Sequence, residues 1–338
     1  MSAARNLSEL LTGGTEITIV CHNNPDPDCL ASALALGRIA ADAGIDERHI
    51  LYSGDISHQQ NRAFVNLLDI DLRPFETEAV VDRRPDSLLA FVDHSVPGDN
   101  NDVPAGTRVD VVIDHHPADG VDATFVDRRE AVGACATILT EYLRKLDVDV
   151  DPVLATALLV AIRTETLAFL RGVTPAEYDA AGFLHDLADQ ETLRRLVAPS
   201  VTGETLDTIA TAIGNRTVAR SVLVSGVGRT GERDALPQAA DYLATLEGVE
   251  TAIVFGIVRD AIHVSARSPD PRIHAGEVLH AAFEDVGSAG GHHDVAGGQV
   301  PLGIFADDTA DDASLLTLVD EVVTARLFDA LAIDEGER

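Results

Sequence analysis

Two stretches of this chain, SLLAFVDHS (Ser87–Ser95) and RVDVVIDHH (Arg108–His116), run apolar residues almost without a break and then end on acid and histidine. A strand with one wet face alternates polar and apolar residues. A near-continuous apolar run instead fits a strand covered on both faces, as in a parallel sheet whose crossover helices lie on either side. EITIVC (Glu16–Cys21) and HILYSG (His49–Gly54) read as two further strands. Between and after them stand helical patterns: LASALALGRIAADAG (30–44), NRAFVNLL (61–68), GACATILTEYLRKL (133–146) and PVLATALLVAIRTETLAF (152–169). This alternation predicts an α/β fold with a parallel sheet.

From about Asp179 to Arg220 the pattern is wholly helical, and then the alternation restarts. RSVLVSGV (220–227) reads as a strand, ALPQAADYLATLEG (235–248) as a helix, and ETAIVFGIVRDAIHVSARS (250–268) as two strands turning near Arg259-Asp260. A helix (275–287), a Gly-rich segment, a strand (299–305) and a terminal helix follow, with a polar tail at the end. The expected organisation is an N-terminal parallel-sheet domain (1–190), a helical connector (191–216) and a smaller C-terminal α/β domain (217–338). A length of 338 residues suits two such cores.

Charge bounds the partners. Asp and Glu number 56 against 25 Lys and Arg, a net charge of −31, and Lys145 is the only lysine. A surface this acidic repels nucleic acid over most of its area, so a long duplex is not an expected ligand. With 46% hydrophobic residues the core is ordinary, so the acid lies outside. The pattern fits a halophile-type protein, whose charge is screened by concentrated salt, with a merely acidic mesophilic protein as the alternative. No apolar run is long enough to cross a membrane and no signal-peptide pattern opens the chain, so the expected location is the cytoplasm. Cys21, Cys29 and Cys135 are too few and too scattered for a disulfide framework and read as small buried hydrophobes.

The chemistry is expected where strands end, because open α/β sheets bind ligands beyond the carboxyl ends of their strands. The first strand ends in Cys21 and leads into HNNPDPD, with His22, Asp26 and Asp28; another ends in Asp93-His94; a third ends in Asp114-His115-His116. One His-Asp pair is as well read as a cap or a solvated loop. Three on one sheet edge gather carboxylates and imidazoles suited to Mn²⁺ or another first-row divalent ion. Shared carboxylates would hold two ions close together, an arrangement used in phosphoryl displacement. Pro25 and Pro27 stiffen the loop between the acids, and Asp28 could instead cap the helix it opens.

Together, HNNPDPD, VDHS, VVIDHHP and GGHHDVAGG resemble, in order and over nearly the whole chain, the DHH phosphoesterases with a C-terminal DHHA1 domain. The resemblance implies roles. His22 and Asp26 would hold one metal, Asp28 and His115 a second, and Asp93 would bridge both. Asp114 would orient His115, His116 would face the substrate phosphate, and a water activated by the metals would be the nucleophile. The cofactors implied are two divalent ions, Mn²⁺ before Mg²⁺ or Co²⁺. Where the family carries a T-D-T-like motif, this chain has Glu165 between Thr164 and Thr166, with Phe169 following. Glu165 is expected as a ligand one methylene longer, the alternative being a solvent-facing helical acid.

In the second domain the resemblance assigns substrate binding to Arg267 and to the segment holding Gly290, Gly291, His292 and Gly297. The glycine N–H groups there would approach a phosphate. The implied activity is hydrolysis of short nucleotide substrates (oligoribonucleotides of a few nucleotides, pAp, linear or cyclic dinucleotides) to 5′-mononucleotides, in a protein that could be a homodimer. Two alternatives stay open: an inorganic pyrophosphatase of the same superfamily, and a catalytically weakened nucleotide-binding regulator. A RecJ-like exonuclease fits less well.

Overall fold

The apolar runs of the first half pair side by side in one sheet. The computed structural model describes residues 2–54, 56, 59–197, 201–291, 293–303 and 312–333. It divides into two units, Met1–Pro199 and Ser200–Arg338. The strands of the first are β1 (Glu16–Val20), β2 (Glu47–Tyr52), β3 (Arg73–Pro74), β4 (Ser87–Val92), β5 (Val109–Asp114) and β6 (Ala123–Arg128). Their order is β3-β2-β1-β4-β5-β6, and every neighbouring pair is parallel. Chain order reverses between β1 and β4, which leaves a crevice at their carboxyl ends.

The helices of this unit are α1 (Ala3–Leu11), α2 (Pro27–Asp42), α3 (Gln59–Leu67), α4 (Thr77–Val81), α5 (Cys135–Leu146), α6 (Pro152–Glu165), α7 (Pro175–His185) and α8 (Gln190–Val197). Ile17, Ile19, Val92, Val111 and Ile113 share one core with α2, α5 and α6. Val20, Leu89, Phe91 and Val112 turn to the opposite face, against Val80 and Val103. Both faces of β4 and β5 are therefore covered, which is why their sequences do not alternate. The elements without a prior sequence signal, α1, β3, α4 and β6, are short or peripheral; β6 is half-exposed.

One boundary differs. The apolar pattern extends a helix to Phe169, but α6 ends at Glu165. The Thr166 hydroxyl donates to the Ile162 carbonyl, and Leu167, Ala168 and Phe169 turn left-handed with φ of 48°, 57° and 67°. Periodicity cannot register that change of hand.

The second unit has β7 (Thr217–Ala219), β8 (Val222–Arg229), β9 (Thr251–Val258), β10 (Ala261–Arg267), β11 (Ser288–Gly291) and β12 (Val295–Pro301), in the order β11-β12-β10-β9-β8-β7. Among the described residues of this unit, only β8 and β9 run parallel. Its helices are α9 (Gly203–Asn215), α10 (Ala235–Leu243), α11 (Ala275–Phe283) and α12 (Asp312–Ala330). Leu223, Ala252 and Val254 pack under α9 and α10; Val224, Ile253 and Val264 pack under α11 and α12. Within the expected connector, α8 packs on α3 and α6, whereas α9 packs on α10 and β8. The helical run that was expected to reach Arg220 gives way to β7 at Thr217.

Candidate metal centre

Parallel pairing brings the ends of β1, β4 and β5 to one edge, and with them His22, Asp93, and Asp114 to His116. The loop after β1 is fixed from several sides. The Asn23 N–H donates to the Asn100 carbonyl, and the Asn61 amide donates to the Pro25 carbonyl. Asp26 caps α2: its Oδ1 accepts from the N–H groups of Asp28 at 2.9 Å and Cys29 at 3.0 Å. Asp28 does not cap its own helix. Its Oδ2 and Oδ1 accept from the Cys135 and Ala136 N–H groups, at 2.7 and 2.8 Å, and so cap α5 from across the core. The chain-local reading of Asp28 is corrected accordingly: with Asp26 in the cap position, Asp28 is free to reach another helix start.

Asp93 lies at the middle. Its Oδ2 is 3.6 Å from His22 Nε2, and its Oδ1 is 3.4 Å from His115 Nε2 and 3.7 Å from His116 Nδ1. His22 Nε2 is 3.8 Å from Asp26 Oδ1, and His115 Nε2 is 3.7 Å from Asp28 Oδ2. Asp93 also holds a left-handed backbone, φ 65°, a conformation whose strain is commonest at functional sites. On each imidazole the other nitrogen is occupied: His22 Nδ1 lies 3.0 Å from the Asn23 carbonyl and His115 Nδ1 3.1 Å from the Val132 carbonyl. Carbonyls only accept, so Nδ1 carries the proton and a neutral ring turns the Nε2 lone pair inward.

Asp114 pairs with His116 and not with the ring of His115, which corrects the expected partnership. Its Oδ1 accepts from His116 Nδ1 at 3.0 Å and from the N–H groups of His115 and His116, while Ser95 Oγ donates to Oδ2. A carboxylate two residues before an imidazole can fold back to it at a strand end; the ring of His115 points away, to Val132.

The electrostatics describe a centre short of positive charge. Burial drives the Asp28 carboxyl well above its ordinary range, and Asp93 adds to this. Burial, with Asp26 and Asp93, also raises Glu165. Burial opposes charge on His22, yet Asp26 and Asp93 outweigh it and raise that imidazole to about 11. His115 is likewise disfavoured by burial but lifted to about 9 by Asp93 and Asp28. Asp93 itself, despite burial, is held low by the two histidines. Two buried atoms, Asp93 Oδ1 and His115 Nε2, have no hydrogen-bond partner. Orphaned buried groups carry a large desolvation cost, and a divalent cation would satisfy both. The donor set, imidazole nitrogens with carboxylate oxygens, fits a first-row divalent ion.

Glu165, the last residue of α6, is 26% exposed, and its Oε1 is 3.6 Å from Arg171 Nη2. It lies near enough to Asp26, Asp93 and His115 to shift with them. Two further residues, His94 and Cys29, stand beside these. His94 is buried, stacks on Phe91 at 4.4 Å and leaves its Nε2 without a partner; burial lowers its pKa to about 4. Cys29, His22 and Asp93 place donor atoms within 4.8 Å of one another. A cysteine in an apolar helix start gives no sequence signal distinguishing this position from plain core.

In the second unit, Arg267 ends β10 and is held through Nε by Asp241, while Nη1 donates to Ser265 Oγ and the Ala266 carbonyl. Gly290 and Gly291 pair with Gly297 and Ala296 in the β11–β12 ladder. The Gly-rich segment is thus largely a hairpin. Gly291 has φ 149°, and a side chain there would meet the Val295 carbonyl at 2.5 Å. His292 lies outside the described residues. Its neighbour His293 stands edge-on to His274 at 5.3 Å.

Residues 16–162 match the model of the DHH family N-terminal domain, and residues 219–324 match the DHHA1 domain. An uncharacterized protein of Methanocaldococcus jannaschii is 38% identical over 324 residues, 95% of this chain and 65% of that protein. A probable manganese-dependent inorganic pyrophosphatase of Staphylococcus epidermidis is 28% identical over 178 residues, covering 52% of this chain and 56% of its own. The chain therefore spans less than two thirds of the length of these curated relatives. An exopolyphosphatase-related protein from Bacteroides fragilis shares the fold with a TM-score of 0.65 at 12% identity, over 97% of each chain. Exonuclease RecJ bound to manganese does so with a TM-score of 0.53 at 17% identity, over 98% of this chain and 94% of its own.

Proposed function

This chain carries a DHH family N-terminal domain followed in sequence by a DHHA1 domain, and from that premise we propose that it is a divalent-metal phosphoesterase acting on short nucleotide substrates. The observation that carries the reading is Asp93, buried, its two oxygens turned to His22 and His115, with an orphaned oxygen and an orphaned nitrogen 3.4 Å apart. His22 and Asp26 would hold one ion, Asp28 and His115 another, Asp93 would touch both, and Glu165 would complete the set. Such ions, when bound, supply Lewis acidity toward phosphoryl oxygens and acidify water. The ion preferred is Mn²⁺, the one named for the pyrophosphatase relative and the RecJ structure.

The chain's own residues do the rest. Asp114 keeps the proton of His116 on Nδ1, raises that imidazole's pKa, and leaves Nε2 toward solvent on a half-exposed ring. A protonated His116 is suited to stabilise a phosphate oxygen or to protonate the leaving oxygen. Ser95 and two main-chain N–H groups keep Asp114 ionised in that task. In the second unit, Arg267 and the β11–β12 hairpin are the residues proposed for nucleotide binding. Oligoribonucleotides of a few nucleotides, pAp and dinucleotides are the candidates, with a 5′-mononucleotide as product.

The pyrophosphatase relative supports a second reading, limited to the half of the chain it matches. A turnover assay with Mn²⁺ separates the two: pAp, pApA, a five-nucleotide RNA, cyclic di-AMP and pyrophosphate, each beside a His115→Ala control. Mononucleotide release absent from the control supports the proposal. Phosphate from pyrophosphate alone replaces it. No turnover from folded, metal-loaded protein would favour a nucleotide-binding regulator with Glu165 as the weakened position.

A further inference from the structure

A groove of about 580 Å³ opens on the first unit, away from the metal centre. Its walls are the outer half of α2, the starts of β2 and β3, and the first turn of α6. Leu34, Ala41, Ile50 and Val153 give it an apolar floor, and Val153 is left 49% exposed. Around that floor stand Arg38, Arg48 and Arg73. Three guanidiniums lining one cavity are unexpected in a chain of net charge −31.

Two of the three are already oriented. Arg38 Nε donates to the Asp149 carbonyl at 2.9 Å, and Arg48 Nη1 donates to the carbonyls of Ile45 and Asp46 at 2.6 and 3.1 Å. Main-chain acceptors fix both side chains, and Arg38 Nη2 also pairs with Asp149 Oδ2 at 3.5 Å, so the positive charge left for a ligand is chiefly that of Arg48 and Arg73. Arg73 is exposed and makes no ion pair among the described residues. His49 lines the same groove, and its Nδ1 is buried without a partner. Val153, at the second position of α6, presents an N–H that no helical carbonyl can reach.

We propose that this groove binds a nucleoside monophosphate. The apolar floor takes the base. The planar arginine forks take the phosphate bidentately, helped by the free N–H at the helix start. Asp71 and Asp151 also line the groove; Asp71 offers an acceptor for sugar hydroxyls. The two acids limit how much negative charge the site accepts, which favours a monophosphate over a bare polyphosphate. The volume is that of an ordinary small-ligand site.

The groove is tied to the metal centre by two helices that pack on each other. Helix α2 starts with the Asp26 cap and Asp28, and Arg38 lies ~15 Å further along it. Helix α6 starts in the groove and ends ~21 Å away at Glu165. An occupant bearing on both helices can therefore report to the metal ligands, so the product class of the proposed reaction would act as an effector. That effector role rests on the reading of the metal centre; the binding does not.

The test is anisotropy of a fluorescent AMP analogue (mant-AMP) against the full chain in excess EDTA, so that no ion occupies the metal centre. Saturable binding is expected, competed by AMP and not by adenosine. It should weaken at least ~10-fold in Arg73→Glu, and in Arg48→Ala as a second variant, and stay within about twofold in His116→Ala. Circular dichroism checks that each variant is folded. Absence of saturable binding overturns the proposal, as does unchanged, wild-type affinity in both arginine variants or loss of binding in His116→Ala. If light scattering shows a dimer that Arg73→Glu splits while no nucleotide binds, the groove belongs to a second copy of the chain and the proposal fails. Because the assay needs no turnover, its outcome is independent of whether the phosphoesterase reading stands.

Discussion

Asp93 concentrates the chemistry in one side chain. An Asp93→Asn substitution keeps the size and tolerates the left-handed backbone, but removes the charge shared by His22 and His115. Mn²⁺ affinity should fall by more than ~100-fold, beyond the usual loss for a residue that merely supports a ligand; calorimetric titration reads it. In the metal-free protein His22 is raised from 6.5 to about 11. Its contribution to stability is therefore complete below pH 6.5 and is lost as pH rises toward 11. Metal must displace the extra protons on His22 and His115, so Mn²⁺ affinity should climb between roughly pH 6 and 9, with protons released on binding. Titrations in buffers of different ionisation enthalpy would show this. A flat pH profile would mean the imidazoles are not ligands. These ligand candidates were legible in the sequence because each follows an apolar strand. The partners of Asp28 and Asp114 were not legible, since those bonds depend on where α5 starts and how two neighbouring rings divide, and no local pattern encodes either.

Elements carry a different sort of constraint. The buried strands showed themselves through unbroken apolar runs, whereas the left-handed turn after α6 did not, because Leu167 to Phe169 still look helical by composition. The Gly-rich segment reads from sequence as a phosphate loop, yet it pairs as β11 and β12, and Gly291 and Gly298 lie where a side chain would crowd the neighbouring backbone or side chain. Gly276 in α11 faces this segment closely: a side chain there would meet the Gly291 carbonyl oxygen at 2.4 Å. Gly→Ala inside a helix ordinarily stabilises by about 0.5–1 kcal/mol. Here the sign should reverse, with Gly276→Ala costing about 1–3 kcal/mol because only backbone stands in the way. Denaturant melts of the variant would show the reversal, and a gain in stability would mean that β11 can retreat from α11.

At the scale of the whole chain, the charge of −31 is the dominant quantity. Its self-repulsion should be relieved by salt, so the thermal midpoint is expected to rise by several degrees between ~0.1 and ~2 M KCl. No rise would return the protein to the merely acidic class. Chelation supplies the opposite lever: an ion present at 100 times its dissociation constant adds about 2.7 kcal/mol, and EDTA should remove it. Among the described residues no helix is long and apolar enough to cross a membrane. The candidate ligands lie at positions 22, 26, 28, 93, 115 and 165, so one centre gathers loops that would be far apart in an unfolded chain. The three cysteines are free and buried, and the first unit has no covalent staple. A bound cation would take that place, a reversible cross-link drawn across most of the unit, so that metal supply would set how long the folded chain survives as well as how fast it turns over.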